Sequence, residues 1–189
     1  MKEIEKRILD DGIIIDNDII RVDSFLNHQV DPAFLHDFAR GVVSHFAGQK
    51  IDKVLTCETS GIAAAHAVAV ELGNVPYVFA KKTQSKTTVG QFYHAKVKSF
   101  TRNSESDIAV ACRYLLEGEN VLIVDEFLAD GNAASGLLEI CRQAKTNVIG
   151  VAVVIEKAFQ KGHSLLLEQG IDLYAGASIK AFVDNKPVF

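Results

Sequence analysis

Residues 121–137 read VLIVDEFLADGNAASGL. The four leading apolar residues suit a strand buried on both faces; two carboxylates follow, and a loop of small residues then opens an apolar helix. An acidic pair beside small residues contributes little to packing, so the stretch asks for a ligand. In a parallel α/β sheet, ligands bind outside the carboxyl ends of the strands, which is where this reading puts Asp125 and Glu126. The loop Ala129, Asp130, Gly131, Asn132 and Ala133 then presents backbone amides at a helix N-terminus, whose partial positive charge favours an anion. Phosphate on the loop and hydroxyls on the carboxylates together describe a ribose 5-phosphate. The plainer alternative is a solvated, capping loop of an ordinary α/β unit.

A second loop of the same kind lies upstream. TCETSGI (56–62) follows the buried strand KVLTC (53–57) and opens the apolar helix 60–73, with Ser60 as a candidate N-cap. Two such loops at the ends of two parallel strands would hold two phosphate groups. Around them the pattern alternates. PYVFA (76–80) reads as a third-layer strand, and KTQSKTTVGQFYH (82–94) as a polar loop suited to a lid. Strand-like AKVKSF (95–100) and SDIAVAC (106–112) follow, then the quoted strand with a helix over 133–144. A long buried strand (148–159), a helix near 163–169 and a strand near 171–179 close the chain. Strand–helix alternation with continuous apolar strands predicts an α/β fold, a mostly parallel central sheet flanked by helices.

The N-terminal third departs from this alternation. An amphipathic charged helix stops at Gly12, and IIID (13–16) and IIRVD (19–23) flank the turn-like Asn17-Asp18. DPAFLHDFARGVVSHFAG (31–48) starts a helix with Asp31 as N-cap and Pro32 at its first position. The first ~30 residues and the tail are expected to form a small cap over one edge of a single domain spanning 1–189, a length that buries a real core.

Composition narrows the function. Hydrophobic residues make up 48% and charged residues 23%, ordinary for a folded globular chain. The net charge of −4, from 20 basic and 24 acidic residues, argues against a nucleic-acid partner. No apolar h-region follows the N-terminal helix, and the apolar runs fall far short of the ~18 residues of a membrane span. Three cysteines at wide spacing suit a reduced cytoplasmic protein, and six histidines show no zinc-type spacing. Neither G-x-x-x-x-G-K-[ST] nor a strand-terminal G-x-G-x-x-G is present, which disfavours nucleotide hydrolysis and dinucleotide binding.

With these residues in view, 121–137 resembles the phosphoribosyl-pyrophosphate signature of the type I phosphoribosyltransferases. RVDSFLNHQVDP (21–32), ETSGIA (58–63), FAKK (79–82), SFT (99–101), DEFLADGNAASGL (125–137) and VIEKAFQKG (154–162) are most similar to the bacterial xanthine phosphoribosyltransferase branch, over nearly the whole chain. The resemblance implies the type I phosphoribosyltransferase fold with a hood. It also implies transfer of 5-phosphoribose from 5-phospho-ribose 1-diphosphate to a 6-oxopurine, xanthine foremost, in purine salvage. Guanine or hypoxanthine as the base, or a non-catalytic sensor of the same fold, are the alternatives. Under the resemblance Ala129 to Ala133 cradle the 5-phosphate and Asp125 and Glu126 hold the ribose hydroxyls. Thr59, Ser60 and Gly61 lie in the pyrophosphate loop, with Lys81 and Lys82 beside it, and Ile20, Asn27 and Lys157 map to the base. Magnesium is expected to be bound mainly through substrate, with no all-protein metal site, and a homodimer is implied. Two departures stand out. Glu126 replaces the second aspartate of many relatives, and Asp130 stands where the xanthine branch usually has asparagine. A carboxylate there is unfavourable beside a phosphate unless it points away.

Overall fold

The computed structural model describes residues 3–82, 90–98 and 105–189. The expected SFT motif at 99–101 and most of the expected lid at 82–94 fall outside them.

Helix α1 (Glu3–Asp11) buries Ile4 and Ile8 and ends where Gly12 N donates to Ile8 O at 2.9 Å. Strands β1 (Ile13–Ile15) and β2 (Ile19–Arg21) form an antiparallel hairpin. Its turn is set by Asp16 and Asn17, both at φ 52°, with Asp18 N donating to Ile15 O at 3.1 Å. Positive φ at both central residues is the type I′ geometry whose twist matches that of the strands, and Asp and Asn tolerate it. After a π-helical turn at Asp23–Asn27 comes α2 (Pro32–His45). Asp31 caps it as the sequence indicates, Oδ1 accepting from Ala33 N at 3.0 Å and Phe34 N at 3.3 Å.

The remaining elements, in chain order, are β3 (Lys53–Cys57), α3 (Gly61–Glu71), β4 (Tyr77–Ala80), β5 (Phe92–Lys98), β6 (Glu105–Ala111) and β7 (Asn120–Leu128). After these come α4 (Asn132–Ala144), β8 (Asn147–Lys157), α5 (Lys161–Glu168), β9 (Leu173–Ile179), β10 (Ala181–Val183) and β11 (Lys186–Val188). A five-stranded parallel sheet in the order β4-β3-β7-β8-β9 forms the centre. Side chains alternate across it: Leu122 and Val124 join the core beneath α2 and α3, whereas Val121 and Ile123 join the core beneath α4 and the β5–β6 hairpin. Two buried faces require apolar residues at every position, hence the unbroken runs in β7 and β8.

Three expectations are corrected. PYVFA is no third layer: β4 is the edge strand of the central sheet, Val54 to Cys57 facing Tyr77 to Ala80. The short α3 crossover returns the chain beside the strand it left. Phe92, Tyr93 and His94, read as loop, begin β5, because its antiparallel partner β6 pairs with them at Ala111, Val110 and Ala109. Ser60 makes no side-chain cap, since its own backbone is already helical at φ −69°, ψ −33°.

The two chain ends meet. The β10–β11 turn, Asp184 and Asn185 at φ 49° and 54°, repeats the left-handed geometry of the β1–β2 turn. The turns clasp reciprocally, Asn17 N donating to Asn185 Oδ1 at 3.0 Å and Asn185 N to Asn17 Oδ1 at 2.7 Å.

Asp31 also pairs with Arg7 of α1 at 3.4 Å, so its carboxylate joins two helices besides capping one. Asp31→Ala is expected to lower unfolding stability by about 1 kcal/mol with an unchanged denaturant slope; an unmoved urea midpoint would show the cap to be dispensable.

Candidate functional site

The strand order reverses direction at β3 and β7: from β3 the chain moves outward to β4, and from β7 the other way to β8 and β9. Pairing between β3 and β7 ends at Leu55–Ile123. Beyond it β3 continues against β4 to Cys57, and β7 against β8 to Leu128. The two strand ends therefore part, and a cleft of about 220 Å³ opens between them. The sequence places the strand end before the acids; in the structure β7 runs through them to Leu128, because β8 pairs alongside at Asp125–Val153 and Leu128–Glu156.

Asp125, Glu126, residues 129 to 133, Thr59 and Ser60 all line this one cleft. Gly61 stands at its rim with no room for a side chain: a Cβ there would lie 2.4 Å from Thr56 Oγ1 and 2.6 Å from Asp125 Oδ1. The start of α3 thus presses its backbone onto the acidic pair. Asp125 is only 8% exposed, and its Oδ1 accepts from Glu126 N at 2.9 Å. Burial, then the neighbouring Glu126 charge, raise its carboxyl well above the ordinary range. Burial and the nearby Asp125 push the Cys57 thiol up to about 12, so this cleft-lining cysteine stays protonated and is no nucleophile. Beside them Thr56 Oγ1 is buried without a hydrogen-bond partner among the described residues.

The small-residue loop takes its shape from Gly131, at φ 81° just before α4. The first amides of α4 have no intrahelical acceptor, by helix geometry alone. Opposite, the Glu58–Thr59 peptide is cis, and Glu58 Oε1 accepts from Lys82 N at 2.7 Å. Of the two lysines, Lys82 lines the cleft; Lys81 is engaged elsewhere, bridging to Ala109 and holding its Nζ 5.7 Å from the Phe79 ring.

Ile20, Asn27 and Lys157 lie outside this cleft lining. Ile20 is buried in β2, and Asn27 is exposed at the end of the π-helical turn. Lys157, at the end of β8 and 6% exposed, donates to Asp18 O at 2.8 Å and stands 5.8 Å from the Phe182 ring, so it ties both terminal hairpins to the sheet. Burial lowers its pKa, and the charges of Asp18 and Asp130 oppose that. Sequence reasoning assigns no role to Glu156, Gly162, His163 and Ser178, which come together behind the loop through side-chain contacts on Glu156 and the packing of Gly162 on Gly131.

A buried Asp125 and a half-buried Glu126 at a switch point, facing an amide-rich loop, define a binder of phosphorylated sugars on a doubly wound α/β frame. The comparisons give the family. Residues 24–172 match the phosphoribosyl transferase domain. A xanthine phosphoribosyltransferase of Clostridium tetani is 46% identical over 189 residues, covering all of both chains, and that of Clostridioides difficile is 45% identical over 188 residues, covering 100% of this chain and 98% of its own. The crystal structure of a Trypanosoma brucei adenine phosphoribosyl transferase, in complex with AMP, pyrophosphate and ribose-5-phosphate, superimposes with a TM-score of 0.77 at 17% identity, covering 93% of this chain and 79% of that one. The chain belongs to the phosphoribosyl transferase family.

Two variants test the electrostatics and packing. In Asp125 the folded-state pKa lies above the unfolded 3.8, so the stability the neutral acid confers is lost as pH rises from that value towards the folded pKa. Asp125→Asn does not titrate; it should unfold at higher denaturant than wild type at pH 7, with the difference vanishing below 3.8, and a pH-independent difference would refute the assignment. Gly61→Ala sets a helix-propensity gain of about 1 kcal/mol against an overpacking cost of about 1–3 kcal/mol. Because Thr56 and Asp125 are buried and cannot step aside, net destabilisation is expected; a rise in Tm would show that the approach is loose.

Proposed function

We propose that the protein transfers the 5-phosphoribosyl group of 5-phospho-ribose 1-diphosphate to xanthine, giving xanthosine 5′-monophosphate and diphosphate, as a purine-salvage glycosyltransferase. The observation that carries this reading is the convergence of both loops and both carboxylates on one cleft at the sheet's switch point. The full-length likeness to enzymes named xanthine phosphoribosyltransferase supports the choice of base.

The assignment follows from charge. As the bond between C1′ and the diphosphate oxygen breaks, that oxygen leaves with the electron pair and positive charge builds on the ribose. A purine nitrogen then bonds to C1′ and gives up its proton. The protein needs to fix the ribose, hold two anions and place the base, more than to supply a nucleophile. In this reading Asp125 and Glu126 accept from the ribose hydroxyls and face the developing positive charge. The 129–133 amides hold the 5-phosphate. Thr59, Ser60 and Gly61 border the diphosphate, with Lys82, or Lys81 after a movement of its side chain, as its cation.

Magnesium fits this cleft, because a buried carboxyl with a raised pKa gains from a cation near it; bound largely through diphosphate oxygens and water, it would neutralise leaving-group charge. Ile20, Asn27 and Lys157 form the base site under the two clasped hairpins, Lys157 offering protons to the exocyclic oxygens of xanthine and Asn27 offering both donors and an acceptor. The free cysteines, and the absence among the described residues of a helix able to cross a membrane, suit a cytoplasmic enzyme, read by family likeness as a homodimer.

The test is a steady-state assay with 5-phospho-ribose 1-diphosphate and magnesium, comparing xanthine, guanine, hypoxanthine and adenine. Xanthine should lead, and Lys157→Met should lower kcat/KM for xanthine by roughly 10- to 100-fold, the size of one lost hydrogen bond to a charged group. Guanine or hypoxanthine ahead would move the assignment within the fold; tight binding of the diphosphate with no turnover of any base would make the protein a sensor.

A further inference from the structure

Behind the loop that faces the phosphate lies a second set of groups. Glu156, the penultimate residue of β8, lies beside Leu128, the last residue of β7, and its side chain is 3% exposed. A carboxylate so buried is costly unless paired. It accepts from Ser178 Oγ of β9 at 2.6 Å and pairs with Nδ1 of His163, in the first turn of α5. A serine, a histidine and an acid invite comparison with a nucleophilic triad, but the order is wrong. There the histidine stands between hydroxyl and acid, whereas here Glu156 stands in the middle and Ser178 donates directly to it rather than to the imidazole. The cluster is an anchor.

What it anchors is the start of α5. Gly162, one residue before His163, donates its N–H to Ala129 O at 2.9 Å. The contact is backbone on backbone: a Cβ on Gly162 would lie 2.5 Å from Ala129 O and 3.0 Å from Gly131 N, and one on Gly131 would lie 2.9 Å from Gly162 Cα. The loop thus rests on α5 from behind while facing the cleft in front.

We propose that His163, held by Glu156, is a positioning residue for phosphate recognition: it fixes Gly162 against Ala129 and Gly131, so that the loop's amides stand where the phosphate oxygens arrive. The inference rests on the phosphoribosyl reading of the site. A site of this kind works within about 0.5 Å of its productive geometry, and the supporting contacts supply that precision. His163 is not among the residues lining the cleft, and its influence should fall on the phosphorylated substrate alone.

The experiment compares wild type with His163→Ala, His163→Gln and Gly162→Ala. Readouts are KM for each substrate, kcat, and the Kd of ribose 5-phosphate by calorimetry. His163→Ala should raise both KM for 5-phospho-ribose 1-diphosphate and Kd for ribose 5-phosphate by about tenfold, as expected for a lost hydrogen bond to a charged group. KM for xanthine should stay close to wild type. His163→Gln, whose amide still donates to Glu156, should recover most of the loss, and Gly162→Ala should reproduce it. Equal changes in both KM values, no change in either, or no recovery with glutamine would overturn the proposal. A wild type that turns over no purine sinks the transfer reading only; the ribose 5-phosphate affinities then decide the positioning role, and a wild type that binds no ribose 5-phosphate overturns it.

Discussion

The site depends on a constraint of topology: β3 and β7 are neighbours whose chains leave in opposite directions. Each strand keeps an outer partner beyond the point where their mutual pairing stops, so their ends are held rigidly and apart. Loops lead from both strand ends into helices, α3 and α4, and helix starts carry unsatisfied amides. A cleft bordered by two helix starts is therefore what this strand order leaves open, and the sequence need only line it.

Lining it brings a tension that the chain resolves locally. Asp125 is a carboxylate on a strand otherwise chosen for two apolar faces, and Gly61 brings the start of α3 within van der Waals range of it. The folded protein tolerates an acid that prefers its proton, in a place where an approaching ligand would favour its charged form. In the proposed reading, stability held down at Asp125 is set against the binding of ribose hydroxyls and an accompanying cation, and the Thr56 hydroxyl, unpartnered among the described residues, has the same character. The apolar layers above and below absorb this cost, since two complete cores flank one sheet.

Much of this was legible in the sequence where one residue dictates local geometry. Asp31 before Pro32 can do little but cap a helix, and the unbroken VLIV and VIGVAVVI runs can do little but lie between two layers. The loop at 129–133 was legible for the same reason, since small residues before an apolar helix have few other uses. Expectations failed where a partner remote in sequence decides. Asp125 and Glu126 belong to the strand because β8 runs beside them, and Phe92 to His94 because β6 does. Ser60 resembles a cap, yet its backbone has already turned helical. Glu156, His163 and Ser178 lie on three elements and meet only in space.

Asp130 shows how such a remote partner changes the meaning of a residue. Beside a phosphate an extra carboxylate is repulsive, and in the sequence it looks like a defect of the loop. In the fold the loop lies next to the end of β8, where Leu128 is paired with Glu156 and Lys157 follows. The Asp130 charge acts on Lys157, favouring its protonated form against the burial that disfavours it. A buried lysine that must donate to a neutral oxygen benefits from that support, because only its charged form carries three donors. In the proposed reading, the carboxylate's cost to a bound phosphate and its support of the Lys157 charge are parts of one electrostatic arrangement.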